Sequence, residues 1–156
     1  MDIETLGLDP ERDRIIAIGI LLDGQSPNLL TDPDEAKLLR SAIAFIAKLK
    51  PQLLIGHNHI AFDLPFISKR CEKLSVKHPF RQSDRQQTMS YASVHGEPIR
   101  FKPVYWRGVD LIDTYHLVGA EDKRTAKFTS YGLKDCAIQI GTRASRRLER
   151  QSSKRS

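Results

Sequence analysis

Two carboxylates stand one residue apart near the start of the chain, in the stretch Asp2-Ile3-Glu4-Thr5. Residues two apart in a β-strand project from the same face. If this stretch is a strand, Asp2 and Glu4 place two negative charges side by side, and a divalent cation would offset their repulsion. Because carboxylate oxygens are hard ligands, the pattern favours Mg²⁺ or Mn²⁺. The alternative is that both acids simply face water.

A third acid, Asp63, follows the apolar stretch 52–56 through a loop that contains Asn58 and Phe62. Asp63 directly precedes a Leu-Pro pair, a typical helix start, so it is a good candidate for an N-cap. An aromatic residue beside an acid at the carboxyl end of a buried strand is also where open α/β sheets place their sites. The sequence therefore leaves two alternatives for Asp63, a helix cap or a site residue.

The elements that must position these acids are predicted from the apolar periodicity. After a first strand that carries the two N-terminal acids, strands are predicted at 12–24, 28–31, 52–58 and 108–113, helices at 32–50, 64–74 and 130–141, and a β-hairpin at 88–106. Three early strands followed by strand–helix alternation predict an α/β fold, with a mixed sheet flanked by helices and an inserted β-hairpin.

Two of these helices have features that the structure can test. For the helix over 32–50, Asp32 is the predicted N-cap, Pro33 lies in the first turn, Glu35 sits three residues past the cap, and Pro51 ends the helix. For the helix over 130–141, the predicted buried face consists of Leu133, Cys136, Ala137 and Ile140.

Composition excludes several classes of protein. The chain has 156 residues, of which 40% are hydrophobic, enough for one domain with a core. Its apolar runs fall short of the roughly 18 residues of a membrane span, and its start is not typical of a signal peptide. Cys71 and Cys136 are far apart and indicate neither a disulfide framework nor a zinc site. We therefore expect a cytoplasmic protein without a membrane partner; protein partners are not indicated.

Basic charge is concentrated at the end of the chain. The formal net charge is +6, and residues 143–156 hold six basic residues against Glu149. We predict a domain over 1–142 and a basic, flexible tail over 143–156. Such a tail either contacts phosphates or is simply solvated.

The stretch Asp2–Thr5, followed by GHNHIAFDLPFI at 56–67, resembles the first two motifs of the DEDD 3′→5′ exonucleases. It is most similar to the proofreading domain of family-B DNA polymerases and its stand-alone bacterial relatives. Residues 108–113 and 130–141 resemble the segments that follow in those proteins, so the likeness covers most of the chain. The resemblance implies a ribonuclease-H-like fold and hydrolysis of phosphodiester bonds from the 3′ end of single-stranded DNA or RNA.

The resemblance also implies the ligands and the substrate contacts. Two Mg²⁺ or Mn²⁺ ions about 3.5–4 Å apart activate a water and stabilise the leaving 3′ oxygen. Asp2 would bind both ions, Glu4 one, and Asp63 the second. The residues implied to contact the terminal nucleotide are Phe62, by stacking, and Asn58, Thr5 and Leu6, by placing it.

The fourth acid of the family lies in a Tyr-x-x-x-Asp motif on a late helix. Tyr131 and Asp135 match that motif. However, the segment SYGLKDCAIQIG at 130–141 resembles an earlier segment of the family. This resemblance favours the interpretation that Asp135 is an ordinary helix residue and not a metal ligand. Asp110 is a further candidate near the metals, and Asp113 is predicted to cap a helix. Compared with the family, the chain looks shortened at both ends, so we expect weak or impaired activity.

The alternative function is a non-catalytic nucleic-acid-binding remnant of such a domain. The hairpin carries Tyr91, Phe101, Tyr105 and Trp106 among basic residues. Such a hairpin either binds single-stranded nucleic acid or buries one aromatic face while its basic side chains stay in water. A calcium-binding protein is excluded because no loop of clustered oxygen ligands is present in the sequence.

Overall fold

The computed structural model describes residues 1–89 and 99–141. The chain divides into two compact units. The first comprises residues 1–87 and 100–113, and the described part of the second comprises 88–89, 99 and 114–141.

The helices and strands follow in mixed order along the chain. The strands are β1 Asp2–Thr5, β2 Ile15–Ile20, β3 Asn28–Leu30, β4 Leu53–Gly56, β5 Phe80–Gln82, β6 Gln87–Met89, β7 Ile99–Phe101, β8 Val104–Trp106 and β9 Asp110–Asp113. The helices are α1 Glu35–Leu49, α2 Asp63–Lys73, α3 Thr114–Thr125 and α4 Leu133–Gln139.

The first unit begins with an antiparallel sheet of order β1-β2-β3. Asp2 lies opposite Gly19 and Ile3 opposite Ile18. Because side chains alternate along a strand, Ile3 is buried while Asp2 and Glu4 are exposed on the other face. The predicted first strand and its paired acids therefore have the expected arrangement.

Two further strand pairs complete the first unit. β4 and β9 are parallel, with Leu53 opposite Asp110 at one end and Gly56 opposite Asp113 at the other. β5 and β8 are antiparallel, and Phe80 lies opposite Trp106. The unit thus contains both parallel and antiparallel pairs, each in its own hydrogen-bonded ladder among the described residues.

The core of the first unit lies where α1 and α2 cover these strands. Its fully buried members include Leu38 and Leu39 of α1, Leu64 and Phe66 of α2, and Ile15 and Ile18 of β2. Cys71 packs in this core, and burial raises the pKa of its thiol to about 12, with smaller contributions from Glu35 and Glu72. Cys71 is thus a packing residue, and a thiol with this pKa is a poor nucleophile at neutral pH.

Helix α1 begins two residues later than predicted. Asp34 is the N-cap, and its carboxylate accepts hydrogen bonds from the N–H groups of Ala36 and Lys37. The predicted cap, Asp32, instead accepts a hydrogen bond from the N–H of Asp34. The helix ends at Leu49, just before Pro51, as predicted.

The predicted hairpin over 88–106 is only partly observed. β6 and β7 form a two-stranded ladder, and the segment between them, with Tyr91, lies outside the described residues. The end of the predicted hairpin, β8, pairs with β5 instead of continuing the ladder. The alternation of residues within 88–106 does not indicate that β8 pairs with a strand outside this segment.

The described part of the second unit contains α3 and α4. Its small core consists of Val118, Phe128, Tyr131 and Cys136, with Tyr115 packed against it. The sequence did not predict α3. The predicted buried face of α4 is wrong, since Leu133 is 58% and Ile140 64% exposed and only Cys136 is buried. Among the described residues, no helix is both long enough and apolar enough to cross a membrane.

Candidate functional site

Asp63 is hydrogen-bonded to the strand that carries the other two acids. It is the first residue of α2, while Phe62 occupies the N-cap position without a side-chain capping bond. The capping alternative for Asp63 is therefore not observed. Its carboxylate Oδ1 accepts a hydrogen bond of 3.0 Å from the N–H of Ile3, and the side chain is buried. Residue 63 thus meets β1 between Asp2 and Glu4.

This contact arises from the free edge of β1. In an antiparallel pair the N–H groups of alternate residues point away from the partner strand. The N–H of Ile3 points away from β2 and donates a hydrogen bond to the carboxylate of Asp63. The amine of Met1 donates to the carbonyl of Ile55 in β4 at 2.9 Å. The second edge of β1 therefore lies along β4 and the start of α2.

The carboxyl group of Asp63 has a strongly raised pKa. Burial is the largest cause and the charge of Asp2 the second, and together they raise the pKa to about 7. The hydrogen bond from Ile3 and the charge of the Met1 amine oppose this shift. The pKa of the Met1 amine is in turn lowered by its own burial. Asp2 and Asp63 are thus close enough to interact electrostatically.

The donor set fits a hard cation only in part. Asp2 and Asp63 offer carboxylate oxygens, which suit Mg²⁺ or Mn²⁺. However, among the residues that the structure describes, no three or more His, Cys, Asp or Glu side chains form a group that could hold a metal ion. Glu4 shares the exposed face of β1 with Asp2. The structure thus brings two of the three predicted acids into electrostatic contact and does not assemble all three.

The loop between β4 and α2 is held by backbone hydrogen bonds. Asn58 has a left-handed backbone with φ 61°, and its carbonyl accepts the N–H of Phe62 at 2.9 Å. The side-chain Oδ1 of Asn58 is buried and has no hydrogen-bond partner within the described ranges 1–89 and 99–141. The ring of Phe62 is half-buried against Phe66, with 5.5 Å between ring centroids.

The carboxylate of Asp113 fixes the start of the same loop. It is buried at the end of β9, and it accepts hydrogen bonds from the N–H groups of Asn58 at 2.7 Å and Ile60 at 3.0 Å. Sequence reasoning predicted Asp113 only as a helix cap and missed this role. The feature that could have indicated this role is the position of Asp113 at the end of β9. Because β9 runs parallel to β4, its last residue lies near the start of the 57–62 loop.

His59 fills the space next to Gly56. Its ring is fully buried, and a Cβ added to Gly56 would lie 2.5 Å from that ring. We predict that Gly56→Ala lowers the free energy of unfolding by about 1–3 kcal/mol through overpacking. The matched control is Gly19→Ala in β2, where the nearest atom to the new Cβ is 3.8 Å away. Urea unfolding of both variants tests this, and equal stability of the two contradicts it.

The two residues after the paired acids differ in exposure. The hydroxyl of Thr5 donates to the carbonyl of Gly7 at 2.6 Å, so Thr5 supports the loop that follows β1. Leu6 is 66% exposed. This apolar side chain, two residues after Glu4 in the chain, is accessible for contact with another molecule.

The remaining candidate residues are Asp110 in the first unit and Tyr131 and Asp135 in the second unit. Asp110 is exposed at the start of β9, at the opposite end of the β4–β9 pair from Asp113. Asp135 is exposed on α4 of the second unit. The hydroxyl of Tyr131 donates to Asp122 at 2.8 Å inside the same unit, and its ring is buried.

The aromatic residues of the predicted hairpin separate into two groups. Phe101 and Trp106 are buried, and Trp106 packs edge-on against Phe80, which agrees with the structural alternative. Tyr105 is 44% exposed and lies opposite the exposed Arg81 across the β5–β8 pair. Tyr105 and Arg81 thus present an aromatic ring opposite a cation. The basic tail over 143–156 lies outside the described residues.

Comparison with protein families gives a match over most of the chain. The family described as DNA polymerase family B, exonuclease domain, matches residues 26–136. Asn58, Phe62 and Asp63 lie inside this range, whereas Asp2 and Glu4 precede it.

Individual relatives agree with this match. A putative DNA polymerase of Frog virus 3 (isolate Goorha) is 26% identical over 108 residues, 65% of this chain and 10% of the relative. A DNA polymerase of Archaeoglobus fulgidus is 32% identical over 68 residues, 44% of this chain and 9% of the relative. An uncharacterized protein of Methanocaldococcus jannaschii is 31% identical over 123 residues, 78% of this chain and 65% of the relative. The chain thus spans about a tenth of the polymerases that it matches.

A solved structure shows the same fold. The family B DNA polymerase of Pyrobaculum calidifontis superposes with a TM-score of 0.67 at 21% sequence identity, over 92% of this chain and 18% of that polymerase. This likeness confirms the predicted ribonuclease-H-like α/β fold.

Proposed function

We propose, because the chain belongs to the family of DNA polymerase family B exonuclease domains, that it is a metal-dependent 3′→5′ exonuclease. Its substrate would be the 3′ end of single-stranded DNA or RNA, and its catalytic domain would be residues 1–142. The observation that carries the proposal is the hydrogen bond from Ile3 to the buried carboxylate of Asp63. It joins the third acid to the strand of the first two, although 60 residues separate them.

Mg²⁺ or Mn²⁺ would be held by Asp2, Glu4 and Asp63. The pKa of Asp63, raised to about 7 by burial and by Asp2, supports this part of the proposal. A buried acid that is repelled by the charge of an exposed acid nearby favours a cation that relieves the repulsion. When bound, such ions activate a water and offset the charge on the leaving 3′ oxygen.

The chain's own residues would position the terminal nucleotide. The half-buried ring of Phe62 is braced by Phe66, so it offers a fixed surface on which any base can stack. The side chain of Asn58 is half-buried and would help to place the terminal nucleotide. Leu6, exposed two residues after Glu4 in the chain, would contact the base or sugar.

The test is degradation of a 3′-extended single strand labelled at its 5′ end. We expect the wild type to shorten it in one-nucleotide steps with Mg²⁺ or Mn²⁺ and not with EDTA. Asp2→Asn is expected to lose this activity by about a hundredfold or more, because charge stabilisation by metal ions contributes several kcal/mol. The matched control is Asp110→Asn, an exposed acid at the far end of β9, which is expected to keep full activity. Equal activity of the two variants contradicts the proposal.

A non-catalytic nucleic-acid-binding domain is the second candidate. Two observations favour it: the described residues hold no group of three metal-binding side chains, and Tyr105 and Arg81 are exposed side by side. It predicts that wild type and Asp2→Asn both bind the labelled strand in a fluorescence anisotropy titration and that neither degrades it.

A further inference from the structure

The carboxyl ends of two parallel strands meet where the candidate substrate loop begins. Gly56 ends β4 and lies opposite Asp113, the last residue of β9. The loop 57–62 leaves β4 at this point. Asp113 is buried, and each of its two carboxylate oxygens accepts one backbone N–H from the loop, that of Asn58 or that of Ile60. The carboxylate therefore bridges two positions of the loop.

These two bonds hold the start of the loop. Asn58 has φ 61°, a left-handed conformation that asparagine adopts more readily than most residues with a side chain. The N–H of Asn58 is bonded to Asp113 and its carbonyl accepts the N–H of Phe62, so both bonds hold this conformation. Hydrogen bonds to an ionised carboxylate are stronger than those between neutral groups. Asp113 therefore sets the direction in which the Asn58 side chain leaves the backbone.

We propose that Asp113 is a positioning residue that acts through Asn58 on the terminal nucleotide. This inference rests on the proposed function, since it assigns Asp113 a part in binding the same 3′ end. Asp113 does not touch the substrate. It holds the loop backbone from which the half-buried Asn58 side chain projects, and so sets the orientation of that side chain for binding.

A purely structural role for Asp113 makes a different prediction. Asp113 directly precedes α3, so its loss also affects the start of that helix. An effect on α3 or on overall stability would be independent of whether the Asn58 side chain is present. An effect through Asn58 disappears once that side chain is removed. A double-mutant cycle separates the two.

The experiment compares the wild type, Asp113→Asn, Asn58→Ala and the double variant, with Asp110→Asn as the control on the same strand. We measure kcat/KM on a single-stranded oligonucleotide and its affinity by fluorescence anisotropy in EDTA. Asp113→Asn keeps the size of the side chain but replaces one acceptor by an NH₂ group, which cannot accept the second N–H. We expect kcat/KM to fall about tenfold to a hundredfold, the range for a misplaced substrate contact. In the Asn58→Ala background the same change is expected to have less than about a threefold effect.

The possible outcomes distinguish the two proposals. Independent, multiplying effects of the two substitutions overturn the role of Asp113 and leave the exonuclease intact. Coupled effects on affinity in a chain that never degrades the strand support the role of Asp113 and overturn the catalytic proposal. A wild type that neither binds nor degrades overturns both. If Asp113→Asn does not fold, Asp113→Glu takes its place, and amide hydrogen exchange at residues 58 and 60 reports directly whether the loop is released.

Discussion

Asp63→Asn is expected to abolish 3′→5′ degradation and yet to stabilise the fold at neutral pH. The asparagine amide oxygen still accepts the N–H of Ile3, so the contact between α2 and β1 is kept. The substitution removes a buried negative charge that Asp2 repels. Activity should fall about a hundredfold or more, because the substitution removes the proposed ligand of a catalytic cation. Stability and activity therefore change in opposite directions, as expected for a residue retained for chemistry.

The difference in the free energy of unfolding between the wild type and Asp63→Asn should depend on pH in a defined direction. The pKa of Asp63 is about 7 in the folded chain, against 3.8 for an aspartate side chain in water. The folded state thus binds the proton more tightly, and the stability that this proton contributes is full below about pH 4 and is lost as the pH rises through 7. At about 1.4 kcal/mol per pKa unit, the loss is on the order of 4 kcal/mol. Urea unfolding in EDTA at pH 5 and pH 8 measures it: Asp63→Asn should lack this pH-dependent loss.

Asp63→Ala provides the comparison that isolates the hydrogen bond. It removes the same charge but leaves the N–H of Ile3 without its acceptor in a buried place, at a cost of about 1–3 kcal/mol. Asp63→Asn should therefore be the more stable of the two, while both are inactive. Mg²⁺ should stabilise the wild type and neither variant, because only the wild type keeps the complete ligand. An active Asp63→Asn enzyme would contradict the assignment of Asp63 as a ligand.

Those parts of the fold that depend on local signals could be predicted from the sequence. The apolar β-branched run that forms β2 and the helical period of α1 needed only their own residues to be recognised. The alternation of Asp2, Ile3 and Glu4 in β1 was also local. By contrast, α3 was missed because only Val118, Gly119 and Asp122 of its twelve residues are buried, so it lacks an apolar stripe.

The contacts that assemble the candidate site join residues far apart in the chain. Asp63 meets Ile3 across 60 residues, and Asp113 meets Asn58 across 55. Sequence patterns assign a residue to a strand or helix but do not state which backbone group its side chain will reach. Both acids were predicted as possible helix caps, which is the local role of an acid before a helix. Their long-range roles required the register of β1 and of the β4–β9 pair.

Glu35 is the clearest case of a local interpretation that tertiary structure replaced. The sequence placed it three residues past the helix cap, in a capping position. Because α1 begins later, Glu35 is its first residue, and its carboxylate lies in the buried interior. Its Oε1 accepts the N–H of Ile15 at 2.8 Å and the Nε of Arg70 at 2.8 Å, and its Oε2 accepts Nη2 of Arg70 at 2.5 Å. The side chains of Glu35 and Arg70 are each only 8% exposed.

We expect Glu35→Ala and Arg70→Ala each to lower the free energy of unfolding by about 3–5 kcal/mol, because each leaves a buried charge without its partner. The loss of Arg70 also frees the carbonyl of Pro10, to which its Nη1 donates at 3.1 Å. The matched control is the neighbouring Lys69, whose pairing with Glu11 is about half exposed on both sides. Lys69→Ala should cost less than about 1 kcal/mol, because water screens an exposed pair.

Urea unfolding of the three variants, at one pH and salt concentration, measures this difference. Glu35→Gln should fall between the wild type and Glu35→Ala, because its amide oxygen still accepts one hydrogen bond from Ile15 or Arg70 while the charge pair is lost. Raising the salt concentration should change the effect of Lys69→Ala and leave that of Arg70→Ala nearly the same, since buried pairs are screened much less. Equal costs for Lys69→Ala and Arg70→Ala would mean that water reaches the Glu35 carboxylate. In that case α1, α2 and β2 would be joined by apolar packing alone.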